Sequence, residues 1–384
     1  MESSFMTEFS DIKTEAASAE AGPHRVTGFQ SVTNIPKTKM LHHNVLSFVF
    51  TFLLLYSSYL TQVLGAAAGN CPRFGYHYSS STRPHPNALV VRKGSTNSGE
   101  YPTISAAVDA LEGFHGPRQI FIYPGNYPEH VHIKSKHPLR IQGFTKNSRH
   151  WSDNQVTVNV AISAKDKNGN AESSGVWVSG SCFEMRNVNV INSFGTGTDT
   201  QAVALTASGE EHIYRMCAFS SYQDTLYVET NKALFYRCHV EGAVDFIFGT
   251  GTAWFEHSYI AVKPPRAFAV ITAQRSPPDV QTIFVFNRAQ VYGLPGTQPN
   301  STYLGRPWSS NAAVVFQFSR FSDIIKPQGW KAWKSTDPRT ENIHFQEFEN
   351  IGPGSRGTRD LARMRNEPLS IRRILGDDFL RWAS

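Results

Sequence analysis

The sequence predicts an all-β chain built as a solenoid of stacked parallel rungs, and three observations predict it. Short Val-, Ile- and Phe-rich runs alternate with Gly, Asn and Ser, and 28 glycines and 26 phenylalanines favour strands over helices. The segments "FEMRNVNVIN" (183–192), "IYRMCAFSSYQD" (213–224), "LFYRCHVEGAVD" (234–245) and "WFEHSYIAV" (254–262) repeat in rough register. Repeats of about 20 to 30 residues, each with two or three short strands, mark a β-solenoid whose rungs lie about 4.8 Å apart.

The elements follow in chain order. Residues 1–39 are polar and lack an apolar period, so they read as a non-structural extension or the product of a misplaced start. Residues 40–70 carry no formal charge, and the apolar stretch Val45–Tyr56 has signal-peptide length. Small residues follow at Gly65–Gly69, and Ser57, Ser58, Thr61 and Gln62 interrupt any full membrane span. A signal peptide at 40–67 is therefore expected, with a secreted domain at 71–384 and no stable membrane insertion. A type II membrane anchor is the alternative.

"GEYPTISAAVDALEG" (99–113) reads as a short amphipathic helix capped by Thr103 or Ser105, with Ile104, Val108 and Leu111 on one face. "RQIFIYPGNYPEHVHI" (118–133) reads as strand, turn, strand, and the rungs begin there. Aligned on Cys217, successive rungs fall at Cys238 and Ser258, with Asn187 as the earlier counterpart.

Composition narrows the function. Apolar residues make up 40% of the chain and charged residues 18%, enough for a sizeable core. Beyond residue 70, 33 Lys/Arg face 26 Asp/Glu. That excess suits an acidic polysaccharide, and no basic run or helix points to nucleic acid. No Cys/His spacing suits zinc, "DKNGN" (166–170) lacks the closing Glu of a calcium loop, and neither metal nor cofactor is expected. Asn300-Ser301-Thr302 is a candidate N-glycosylation site.

Two spacings carry the chemistry. Cys217 and Cys238 are 21 residues apart, and so are Asp224 and Asp245. One solenoid turn puts each pair on adjacent rungs. The thiols then either form a Cys217–Cys238 disulfide, which is the expectation, or stack as free thiols in the core. The two aspartates cannot both ionise cheaply, which yields a general acid beside an anion. Gln223 and Gln201 offer neutral amide donors for a developing oxyanion. In "YLGRPWSS" (303–310), Arg306 can hold one aspartate ionised and Trp308 can face a sugar ring.

The motifs "GNYPE" (125–129), "QAVAL" (201–205), "YQDTLY" (222–227), "DFIFG" (245–249) and "LGRPW" (304–308), in this order, closely resemble those of pectin methylesterases, or pectinesterases. "EGAVDFIFG" and the tail "LGDDFLRW" (375–382) look closer to fungal-type members than to plant ones. The resemblance implies a single-stranded, right-handed parallel β-helix of the pectin lyase-like kind. It implies hydrolysis of methyl esters of polygalacturonate, acting as a monomer on methylesterified pectin. Asp245 would be the nucleophile, Asp224 the proton donor and general base, and Gln201 and Gln223 the oxyanion stabilisers. Arg306 would orient and ionise Asp245, while Trp308, Tyr227, Phe248 and Gln201 would contact substrate. One region departs from the family pattern: "DKNGNAESSGVWVSGS" (166–181) has no match to its Gly-Thr-x-x-Ser-Ala-Thr-like stretch, so no substrate threonine carries over. A retaining glycosidase, a lyase and a non-catalytic pectin-binding solenoid are the competing readings.

Overall fold

The computed structural model describes Cys71, residues 80–196 and residues 200–383; the expected extension (1–39) and signal segment (40–67) lie outside the described residues. The remainder is a parallel β-helix. Twelve strands form one sheet, eight a second and seven a third, and neighbours in each sheet come from successive rungs. One rung runs His212–Arg215, Ala218–Ser220 and Leu226–Val228, and the next runs Lys232–Tyr236, His239–Gly242 and Val244–Gly249. Each strand pairs in parallel with its counterpart one turn on.

Alternation of side chains across each strand fills the coil. On the twelve-stranded sheet one inward position is aromatic on five successive rungs: Tyr214, Phe235, Phe255, Phe286 and Phe316. Their rings stack face to face with centroids 4.8, 4.7, 4.4 and 4.3 Å apart. Stacking of this kind adds about 0.5–1.5 kcal/mol per pair beyond the apolar area buried.

The corner after each strand of this sheet is sharp. Met216, Arg237, His257, Arg288 and Phe318 adopt left-handed backbone there, with φ of 47°, 50°, 49°, 54° and 51°. Such a conformation costs a non-glycine residue roughly 1–2 kcal/mol. Ladder hydrogen bonds from the same residues offset it, as from Met216 N to Tyr236 O at 3.0 Å and from Arg237 N to Glu256 O at 2.9 Å. Asn187, at φ 54°, belongs to this corner column and stacks with Met216. The position of Cys217 is therefore matched one turn earlier by Val188, which corrects the alignment on Asn187.

The expected helix forms at Ile104–Asp109. The Thr103 hydroxyl accepts from Ala106 N at 3.1 Å, and Ile104 and Ala107 enter the core. Glu129 of "GNYPE" caps the same end by accepting from Ile104 N at 2.8 Å and Ser105 N at 2.9 Å. At the other end of the chain, helices Ile371–Leu375 and Phe379–Ala383 dock on the outside of the twelve-stranded sheet. Lys232 Nζ donates to Leu375 O at 3.1 Å, and Gln317 exchanges hydrogen bonds with the backbone of Leu369 at 2.9 and 3.0 Å.

The cysteine pairing differs from the expectation. Cys217 and Cys238 are buried free thiols, and the disulfide joins Cys71 to Cys182, with Cα atoms 5.1 Å apart. The reason lies in the ladder. Stacked residues one rung apart point their Cα–Cβ bonds in the same direction, which keeps the Cβ atoms about 4.8 Å apart. A disulfide needs about 3.8 Å. Each thiol instead donates to a backbone carbonyl, Cys217 to Met185 O and Cys238 to Tyr214 O, both at 3.3 Å. Alkylating the unfolded, unreduced protein and mapping its peptides is expected to label Cys217 and Cys238 only; label on Cys71 contradicts the pairing. Because the bridge spans 111 residues of sequence, Cys182→Ser is expected to cost about 2–5 kcal/mol of stability, read from denaturant unfolding.

Candidate active site

The outer face of the seven-stranded sheet gathers the residues singled out from the sequence. Register alone sets one column of outward positions on successive rungs: Thr206, Tyr227, Phe248, Ala273 and Arg306. Gln201, Gln223 and Val244 form a second column through isolated parallel bridges. Asp224 and Asp245 each follow a member of that column, so the carboxylates sit on adjacent rungs, as the 21-residue spacing requires.

The backbone there is unusual in a way no spacing conveys. Asp224 and Asp245 both adopt left-handed conformation, with φ of 62° and 48°. Aspartate is among the few residues that tolerate it. On the next rung the register slips: Val244 pairs with Val270 but Ile247 with Thr272, leaving an extra residue beside Asp245. A bulge of this kind re-aims a side chain at the cost of a ladder position.

Both aspartates are deeply set, with 7% and 5% of their surface exposed. Arg306 reaches Asp245 from two rungs away and binds it through a two-pronged fork. Its Nε donates to Oδ1 at 2.8 Å and its Nη2 donates to Oδ2. Among the described residues the Asp224 carboxyl makes no hydrogen bond. Burial therefore pushes Asp224 well above the usual carboxylate range, and the neighbouring Asp245 charge pushes it further. Burial raises Asp245 too, but the Arg306 fork and the charge of Lys331 oppose the rise. The Arg306 fork thus favours the charged form of Asp245 over that of Asp224.

The glutamines stand beside the pair. Gln223 Oε1 accepts from Thr200 N at 3.2 Å. This fixes the amide orientation and leaves Nε2 as its donor end. Gln201 stacks one rung earlier on the same column, and its side-chain amide has no partner among the described residues.

A small apolar cluster separate from the main core lies next to the acids: Val203, Phe248 and Ala273, with Tyr227, Trp308 and Trp333 packed on it. Tyr227 and Phe248 stack at 4.5 Å with planes 3° apart, and the edge of Trp308 meets Phe248 at 5.9 Å. Tyr227 and Trp308 are half-buried, whereas Phe248 lies beneath them at 2% exposure. Asn300 is exposed in the turn leading into the Thr302–Pro307 strand, away from the core.

Three residues not anticipated from the sequence complete the surroundings. The Arg306 guanidinium lies 4.2 Å from the Trp333 ring centroid, so the indole backs the fork. Arg339 lies over the same ring at 4.9 Å and donates from Nη1 to Trp308 O at 2.6 Å. Lys331 follows Trp330, which bridges to Gly305, and so stands one rung beyond Arg306. The segment "GWKAWK" (329–334) gave a weak signal, since its tryptophans and lysines fit any surface turn.

The site contains two adjacent carboxyls in unequal surroundings, side-chain amides, a cation paired to one carboxyl, and an aromatic margin. It can carry out nucleophilic attack on an electrophilic carbonyl, with a proton donor beside the leaving group.

The family model described as "Pectinesterase" matches residues 88–365. The curated pectinesterase of Aspergillus aculeatus is 36% identical over 313 residues, covering 79% of this chain and 93% of that protein. The crystal structure of the Aspergillus niger pectin methylesterase superposes with a TM-score of 0.73 at 32% identity, covering 79% of this chain and 98% of that one. The carrot pectin methylesterase superposes with a TM-score of 0.66 at 28% identity, covering 75% and 91%.

Proposed function

The chain belongs to the pectinesterase family, and on that footing we propose that it removes methyl esters from polygalacturonate through a covalent intermediate on Asp245. As a carboxylic ester hydrolase it yields methanol and a free uronate. The observation that carries the mechanism is the asymmetry of the acid pair, in which Arg306 forks onto Asp245 alone and Asp224 is buried without a hydrogen bond.

The Asp245 carboxylate attacks the ester carbonyl carbon, and the carbonyl oxygen becomes an oxyanion. Gln201 and Gln223 donate amide hydrogens to that oxygen, a stabilisation worth about 3–4 kcal/mol per donor in comparable sites. Collapse breaks the bond to the methoxy oxygen, which takes the Asp224 proton and leaves as methanol. An acyl–Asp245 anhydride remains, and Asp224 is now an anion. It accepts a proton from water as the water oxygen attacks the acyl carbon. Breakage of the anhydride frees the uronate and restores both aspartates.

Tyr227 and Trp308 present the half-buried margin against which the sugar rings lie, and Phe248 supports them from below. The N-terminal signal segment (40–67) and the Cys71–Cys182 bridge fit export to an oxidising compartment, with action outside the cell. Among the described residues, no helix is long and apolar enough to cross a membrane.

The test is incubation with methylated pectin while measuring methanol, reducing ends and unsaturated uronide together. Methanol alone is expected. New reducing ends would make the protein a glycosidase, and unsaturated ends a lyase.

A further inference from the structure

Arg306 is held in place by more than the carboxylate it binds. Its strand, Thr302–Pro307, ends immediately before Trp308, and its guanidinium lies 4.2 Å from the Trp333 ring centroid. Both supports converge on one residue outside the acid pair. Arg339 donates from Nη1 to Trp308 O at 2.6 Å, and its guanidinium carbon lies 4.9 Å from the centroid of the same Trp333 ring. Its Nε donates to Asp337 Oδ2 at 2.8 Å, which aims the guanidinium. The segment from Trp333 to Arg339 is a closed turn. Trp333 N donates to Pro338 O at 3.1 Å, and Lys334 N donates to Asp337 O at 3.1 Å. Arg339 ends that turn with left-handed backbone, at φ 55°, a conformation unfavourable for a residue with a Cβ.

An arginine tied only to the exposed Asp337 would be an ordinary surface pair, worth little. The Arg339 guanidinium also satisfies a backbone carbonyl and packs on an indole, contacts that only a planar fork of donors makes together. We propose that Arg339 is a positioning residue for ester hydrolysis, bracing Trp333 and the Trp308 backbone and through them holding the Arg306 fork on Asp245. The inference rests on the pectinesterase reading and deepens it. Without the brace, the indole and the strand end gain freedom, and the two-pronged contact forms less often. Asp245 is faced by Arg306 and Lys331 and neighbours Asp224. Of these, Arg306 is the one that packs on Trp333, so loss of Arg339 reaches Asp245 through the fork.

Two measurements test it. Arg339→Met keeps the aliphatic stem and removes the donors and the plane. Its kcat on methylated pectin is expected to fall about tenfold with a smaller change in KM, and the acid limb of the profile to move upward by about half a pH unit. Arg339→Lys keeps the charge and one donor and is expected to recover part of both. The second measurement is titration of the Asp245 carboxyl by carbon NMR of aspartate-labelled protein, with the resonance assigned from Asp245→Asn. It needs no turnover, and the same upward move is expected in Arg339→Met. A lower unfolding midpoint with the acid limb and the Asp245 titration both in place overturns the proposal and makes Arg339 merely structural. If Arg339→Met does not fold, Arg339→Lys carries the same two measurements, and an unmoved limb and titration there overturn it. Absence of methanol release by the wild type, with the Asp245 titration still moved by Arg339→Met, instead overturns the esterase reading and leaves the brace standing.

Discussion

Asp245→Asn is expected to lower methanol release by about 10⁴-fold or more while the coil stays folded. The amide keeps the volume of the carboxylate but has no charge with which to attack, so the covalent step is lost entirely and only background hydrolysis remains. The fold does not depend on it. Asp245 points away from the ring stack of Tyr214, Phe235, Phe255, Phe286 and Phe316, and it sits at a bulge that interrupts rather than completes the ladder. Single-turnover methanol release and the far-UV spectrum of the same sample check the two halves of the statement. Turnover near that of the wild type refutes Asp245 as nucleophile.

Arg306→Lys is expected to lower kcat/KM by about 10²-fold and to move the acid limb of its pH profile upward. The guanidinium makes two charge-assisted bonds to Asp245 and lies 4.2 Å from the Trp333 ring centroid, whereas an ammonium offers one point of contact and no plane to stack. The sign follows from the charges. Arg306 opposes the burial that raises Asp245, so weakening the fork lets the Asp245 pKa climb. At a given pH fewer molecules then hold the reactive anion, and more alkaline conditions are needed to restore it. About 1.4 kcal/mol of lost interaction corresponds to one pH unit of displacement. A profile that stays in place, with activity retained, would show that Arg306 does not set the charge on Asp245.

Both expectations depend on contacts that were unequally legible in the chain. The repeat of aromatic segments gave the solenoid because a coil with one strand per sheet per turn must repeat at its own period. The 21-residue spacing placed Asp224 beside Asp245 for the same reason. Gln201 stacked with Gln223 through the intervening turn. The fork from Arg306 joins residues far apart in sequence, but the "LGRPW" motif had already pointed to it. By contrast, the sequence misled on the thiols. Spacing fixes which residues stack, yet it does not fix how their Cβ atoms are directed, and parallel stacking kept Cys217 and Cys238 apart. The one-residue error at Asn187 came from a turn whose length no local pattern specified.

The sequence by itself therefore determined the class of fold, the order of the rungs and the residues that meet on neighbouring turns, since these follow from a period. Only the tertiary structure decided the rest: the left-handed backbone at Asp224 and Asp245, the bulge beside Asp245, the backing of Arg306 by Trp333 and the Cys71–Cys182 bridge. Those features depend on direction, burial and the meeting of segments outside the repeat. A linear period carries none of that information, because it counts residues along the coil and not the angles at which their side chains leave it.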